Sequence, residues 1–127
     1  MSQKKELAKV EEAVSNYMKG ITERKFEYIT KVWYDEAKMF GLTKGKKLLV
    51  TDHNIWKKDF KRQIKDPKYN KTSELLSIDL IGTIASAKVK TIIESSKGSV
   101  IYIDFLNLLK IEDSWQIVNK IFDASYE

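Results

Sequence analysis

Residues Ser99 to Phe122 read SVIYIDFLNLLKIEDSWQIVNKIF. Two long apolar runs meet at Glu112-Asp113-Ser114, which is the chemistry of a β-hairpin turn. The first run is apolar on both parities. Ile101, Ile103, Phe105 and Leu109 share one face, and Val100, Tyr102, Leu106 and Leu108 share the other. Side chains alternate along a strand, so a strand with two apolar faces needs cover on both sides. Two polar residues interrupt it, Asp104 on one face and Asn107 on the other. A ligand is expected near this hairpin.

The preceding chain supplies the layers. Leu7, Val10, Val14 and Tyr17 recur at helical spacing, predicting a helix from about Lys5 to Lys19 that stops at Gly20. Thr22 is expected to cap a second helix running to about Tyr34, with Phe26, Ile29, Val32 and Trp33 as its apolar stripe. Short strands are predicted over Ala37–Leu42 and Lys47–Val50. Thr51 or Asp52 then caps a third helix carrying Ile55, Trp56, Phe60 and Ile64, which ends before Pro67. Strands follow over Glu74–Ile81 and Ile84–Glu94. In the latter, Ala85, Ala87 and Val89 alternate with Ser86, Lys88 and Lys90, giving one buried and one wet face. Ser95-Ser96-Lys97-Gly98 turns into the long hairpin. Helices separated in sequence from a meander of strands predict an α+β domain, helices on one face of an antiparallel sheet. One domain spans residues 1–127.

Composition narrows the chemistry. The chain has no cysteine and one histidine, which excludes disulfides, thiolate ligands, a cysteine nucleophile and a multi-histidine metal site. No cofactor is expected. No apolar window approaches the ~18 residues of a membrane span. The polar start and lack of a signal segment predict the cytoplasm. The net charge is +5, and Lys57 to Lys71 is rich in lysine with Tyr69 among them. Asp59 and Asp66 interrupt that stretch, so it reads as a solvated helix face and no nucleic-acid partner is expected.

The residues Ile103-Asp104-Phe105-Leu106-Asn107-Leu108-Leu109-Lys110, followed by Trp115-Gln116-Ile117-Val118-Asn119-Lys120-Ile121-Phe122, carry a family resemblance. The corner from Tyr17 to Ala37, Gly82 and Ala85-Ser86-Ala87-Lys88-Val89 support it. Over nearly its whole length the chain resembles the nuclear transport factor 2-like (NTF2-like) superfamily, a cystatin-like cone fold. Within it, the resemblance is to the SnoaL-like and "putative lumazine-binding" group. It implies three N-terminal helices on a curved, mostly antiparallel six-stranded sheet that closes a pocket. It also implies a homodimer through the outer sheet face, which would cover the second apolar face of the Val100–Leu109 strand.

The isomerases of this superfamily use a tyrosine, an assisting acid and an aspartate base. Aligned on the helical corner, Tyr17 matches the tyrosine, the base position falls on Gly41, and the assisting acid falls near Asn107. Asparagine donates a hydrogen bond but does no acid chemistry. Tyr17 continues an apolar stripe and reads first as a pocket-lining core residue. Asp35, His53 and Asp104 are the acid–base candidates. His53 lies in the first turn of a helix and Asp35 at a helix end, where such residues also serve local structure. A regular strand puts Asp104 on the outer face, with Lys120 across the hairpin or in solvent; a bulge would reverse that direction.

The expected site is an aromatic-lined pocket of Tyr17, Trp33, Trp56, Phe60, Phe105, Asn107 and Phe122, holding a small, flat, partly apolar ligand without a complete catalytic set. The competing readings are a cyclase, isomerase or dehydratase using a pocket Asp or His, and a protein-interaction module using the sheet face.

Overall fold

The computed structural model describes residues 2–127. The helix α1 (Gln3–Glu23) begins at Ser2, whose hydroxyl accepts from the Lys5 amide. It buries Val10, Ala13, Val14, Tyr17 and Ile21, one stripe at three- and four-residue spacing. The helix does not stop at Gly20. It runs on to a left-handed Arg24 at φ 53°. Gly20 serves close packing instead: a Cβ there would lie 2.5 Å from Ile29 Cγ1. Thr22 is not a cap either; its hydroxyl donates to the Met18 carbonyl within α1. The second helix, α2 (Phe26–Thr30), is one turn long.

Strand β1 (Trp33–Leu42) starts where a helix was expected, because Trp33 pairs with the last strand. β2 (Leu48–Asp52) folds back on it, and Asp52 caps α3 (His53–Phe60) by accepting from the Ile55 amide at 2.9 Å. The remaining strands are β3 (Asn70–Ile81), β4 (Ile84–Ser95), β5 (Gly98–Ile111) and β6 (Ser114–Tyr126). They form one sheet in the order β2-β1-β6-β5-β4-β3. All neighbours are antiparallel except β1 and β6, which run parallel. This is the expected α+β architecture of N-terminal helices on a mostly antiparallel six-stranded sheet.

The core lies between α1, α2 and one sheet face. Val14, Tyr17, Ile29, Trp33, Val89, Leu106, Leu108 and Ile117 are fully buried there. Each large aliphatic contributes roughly 1.5–3 kcal/mol by leaving water. The register decides which residues of β5 face it. Val89 pairs with Asp104, Ala87 with Leu106 and Ala85 with Leu108, so the even-numbered residues of β5 join the small inward residues of β4. Beside the turn of the β5–β6 hairpin, Glu6 ties the helix to the sheet. Its Oε1 lies 2.6 Å from Lys110 Nζ and accepts from Trp115 Nε1 at 3.3 Å.

The opposite face of the sheet carries exposed apolar residues. Phe105 and Ile121, paired across β5 and β6, are each 49% exposed, and Ile84 is 53% exposed. Among them Ser86, Asn107 and Asn119 make a hydrogen-bonded row across three strands, each link 3.2 Å.

Candidate functional site

Between α3 and the inner face of the sheet lies a cavity of about 620 Å³. Its floor is charged. Asp104, from β5, is 3% exposed. Its Oδ2 accepts from the Tyr17 hydroxyl at 2.8 Å and lies 3.7 Å from Lys120 Nζ. Its Oδ1 has no hydrogen-bond partner among the described residues. An ionised carboxylate offers about four acceptor sites, so this buried oxygen keeps unused acceptor capacity.

Lys120 comes from β6. It pairs in register with Leu106, while Asp104 pairs with Phe122, so the two charges are diagonal neighbours on one face. The ammonium also sits 4.8 Å from the Trp56 ring centre, 5.3 Å from that of Tyr17 and 5.7 Å from that of Phe122. These ring faces favour a cation and replace part of its lost hydration. Burial still lowers the affinity of Lys120 for its proton, against the opposing pull of Asp104. Burial, followed by the charge of Asp104 and the hydrogen bond to it, raises Tyr17 well above 10.0. Tyr17 therefore stays protonated and acts as a donor.

Phe122 also lines the cavity, and it explains Gly41. A Cβ on Gly41 would overlap the Phe122 ring. The position aligned with the base of the isomerases is thus occupied by an aromatic ring from the adjacent strand. Trp56 and Phe60 supply the wall from α3 and stack edge-on at 5.5 Å.

A family model described as "Putative lumazine-binding" matches residues 5–123. The chain belongs to this family. Its solved neighbours place it in the NTF2-like superfamily. An NTF2-like protein of unknown function from Shewanella baltica OS155 is 25% identical, covers 98% of both chains and superposes with a TM-score of 0.82. A structure from Novosphingobium aromaticivorans DSM 12444, described as a "putative scytalone dehydratase", shares the fold at 14% identity, covering 94% of this chain and 84% of that one with a TM-score of 0.70. Among curated proteins, the aldolase FrzH of a Cladobotryum species is 46% identical over 48 residues, which is 37% of this chain and 38% of that relative. The matched stretch thus spans little more than a third of that protein.

In this NTF2-like chain the sequence-derived site residues separate into groups. Trp56, Phe60 and Phe122 line the cavity, with Tyr17 just behind its charged floor and Trp33 buried beside Trp56 at 5.0 Å between ring centres. Phe105 and Asn107 do not belong to it. Both lie on the opposite, exposed sheet face, and Asp104 takes the inward place that Asn107 was expected to fill. The cause is register. With Ser95 opposite Gly98, β5 meets β4 without a bulge, and the inward Ala87 and Val89 select Leu106 and Asp104. The bulge lies in β6 instead, at Val118, where pairing steps from Asn107–Asn119 to Leu108–Ile117. The alternation expected for β5 holds, but its even-numbered face is the inner one and its odd-numbered face the outer.

His53 and Asp35 share a separate shallow hollow with Asp52. The His53 ring packs edge-on against Phe26 at 5.0 Å, away from Asp104. Neither joins the charged floor. The cavity also holds charged groups that were not expected as site residues, Lys120, Lys71 and Arg24 among them. Among the described residues there is no helix long and apolar enough to cross a membrane, and no cluster of metal-ligating side chains.

Proposed function

We propose that this protein is an acid–base enzyme that moves a proton next to the carbonyl of a small, partly apolar substrate, with Asp104 as the base. The observation that carries this reading is a buried carboxylate at the cavity floor with one oxygen held and one unpartnered. Tyr17 and Lys120 fix Oδ2, leaving Oδ1 to accept a proton. The substrate C–H bond breaks, its electron pair forms an enolate, and the Lys120 ammonium 3.7 Å from Asp104 is placed to balance the new negative charge. Asp104 then returns the proton to carbon or passes it to a leaving group. Tyr17 spends its hydrogen on Asp104 and is a positioning residue in this scheme. A cavity of about 620 Å³ with aromatic walls suits a ligand of drug-like size. The partial relative named as an aldolase supports the same class, because aldol chemistry also passes through an enolate or its equivalent.

The test is solvent exchange. A panel of cyclic ketones, 1,3-diketones and hydroxyketones is incubated in D₂O and followed by proton NMR. Wild type accelerates loss of an α-proton signal from at least one compound, and Asp104→Asn reduces that rate by about 10²–10⁴. Exchange that survives Asp104→Asn removes Asp104 as the base, and wild type that binds panel members by thermal shift without exchanging any returns the protein to the class of binding modules.

The exposed face around Ile84, Phe105 and Ile121 is the partner surface of this reading. A second copy seated there, face to face, covers both Phe105 rings and leaves each cavity open on the other side of its sheet.

A further inference from the structure

Five basic side chains line the cavity against two carboxylates. Two of the five are neutralised locally: Lys120 by Asp104, and Arg62 by Asp59 at 3.4 Å. Among the described residues Lys71, Arg24 and Lys44 have no such carboxylate partner; Lys44 stands apart, over the Tyr126 ring at 5.3 Å. Lys71 reaches in from β3, and among the described residues it has no ion-pair partner within 4.0 Å. Its ammonium lies 5.9 Å from the Phe60 ring centre. The Arg24 guanidinium lies 5.5 Å from the same ring. Arg24 donates to the backbone carbonyls of Asp59 and Arg62, at 2.9 and 3.1 Å, and among the described residues to no carboxylate. The two cations therefore meet at one aromatic wall, partly shielded from water, with Lys120 adding to the positive field and Asp59 and Asp104 opposing it.

We infer that Lys71 and Arg24 form an anion subsite at the rim of the cavity, and that the substrate carries a carboxylate or comparable anionic group there. This rests on the reading of the cavity as the reaction site, and it sharpens the substrate class to small carbonyl compounds bearing an acid group. Planar guanidinium and ammonium together bind a carboxylate with charge-assisted hydrogen bonds. Burial, with Arg24 and Lys120 close by, brings the Lys71 amine down to about 8. The unliganded site is thus one that an incoming anion relieves.

The test reads binding, not turnover. The probes are 2-naphthoate and its neutral isostere 2-naphthamide, titrated against the full chain by tryptophan fluorescence. Wild type binds the naphthoate about tenfold more tightly than the amide. Lys71→Met removes that preference without weakening the amide, Lys71→Arg retains it, and Arg24→Gln reduces it. Asp104→Asn, which removes the proposed base, keeps the preference, so failure of the catalytic reading and failure of the subsite are separate results. Equal binding of the two probes by wild type overturns the subsite. So does a preference that survives Lys71→Met, or a naphthoate that does not bind at millimolar concentration.

Discussion

Lys120 Nζ stands 3.7 Å from Asp104 Oδ2, and both side chains are almost wholly withdrawn from solvent. Ions this deep are held by each other and by the groups around them. Removing one strands its partner, and a broken buried pair typically costs about 3–5 kcal/mol. Asp104→Asn and Lys120→Met are each expected to destabilise the fold by about 2–4 kcal/mol, since the three rings around Lys120 soften the loss. The double variant loses clearly less than the two singles together. Urea unfolding of the four proteins checks this; strict additivity would mean that the charges do not interact.

Tyr17→Phe removes the hydroxyl that donates to Asp104 but keeps the ring in its stripe. The expected loss is about 1–2 kcal/mol, measured by the same unfolding curves with an unchanged m-value. In the D₂O assay this variant keeps detectable exchange, because Asp104 itself remains.

Glu6 gives the molecule an acid-sensitive tether. The hydrogen bond from Lys110 is the main reason its carboxyl is held below 4.5, helped by Trp115 and Lys9 and opposed by burial. A carboxylate with a depressed folded-state pKa stabilises the fold above its unfolded value, and that contribution fades as pH falls through the folded one. Thermal melts from pH 6 to pH 2 should therefore fall less steeply below pH 4.5 for Glu6→Gln than for wild type. Parallel curves would remove Glu6 from the account.

Lys71 makes stability rise with pH in a second, alkaline window. Its amine sits at about 8 in the folded chain and near 10.5 when unfolded. Between those values the unfolded chain holds more protons, so wild-type stability gains a rising term from pH 8 to pH 10. Lys71→Met lacks that term and melts a few degrees higher at pH 7, about 2–4 °C. Melting temperatures that stay equal at pH 7 would contradict the burial assigned to this lysine.

The exposed sheet face predicts an assembly. Analytical ultracentrifugation of wild type should give a dimer, and Phe105→Glu combined with Ile121→Glu should give a folded monomer. A wild-type monomer at micromolar concentration removes the second copy from the proposed function.

Much of this molecule is readable from local pattern. The Ala85-Ala87-Val89 alternation, the Asp52 cap and the Glu112–Ser114 turn each rest on short-range chemistry, and the folded chain uses them as read. The helical corner is less readable. The Phe26–Trp33 stripe follows helical spacing, yet Trp33 becomes a strand residue through pairing with Ile117, far along the chain. The cavity depends on which face of β5 is inner, and apolar residues on both faces conceal that. The signal was nonetheless present. A four-residue turn at Ser95–Gly98 sets Val89 opposite Asp104, and Val89 was already on a buried face. Lys71 gave no such signal: nothing in a run of lysines tells that one of them lies on a strand facing inward.

The charged floor is built from two neighbouring central strands, whereas one wall is an eight-residue helix followed by irregular chain from Lys61 to Tyr69. These parts have unequal freedom to vary. A change at Asp104 or Lys120 must satisfy a ladder of backbone pairs and a sealed core. A change in the exposed segment after α3 reshapes the opening at little risk to either, whereas Trp56 within α3 belongs to the core and cradles Lys120. If the proposed function holds, directed evolution confined to residues 61–69 is thus the economical way to change what the cavity admits while leaving the Asp104–Lys120 floor intact.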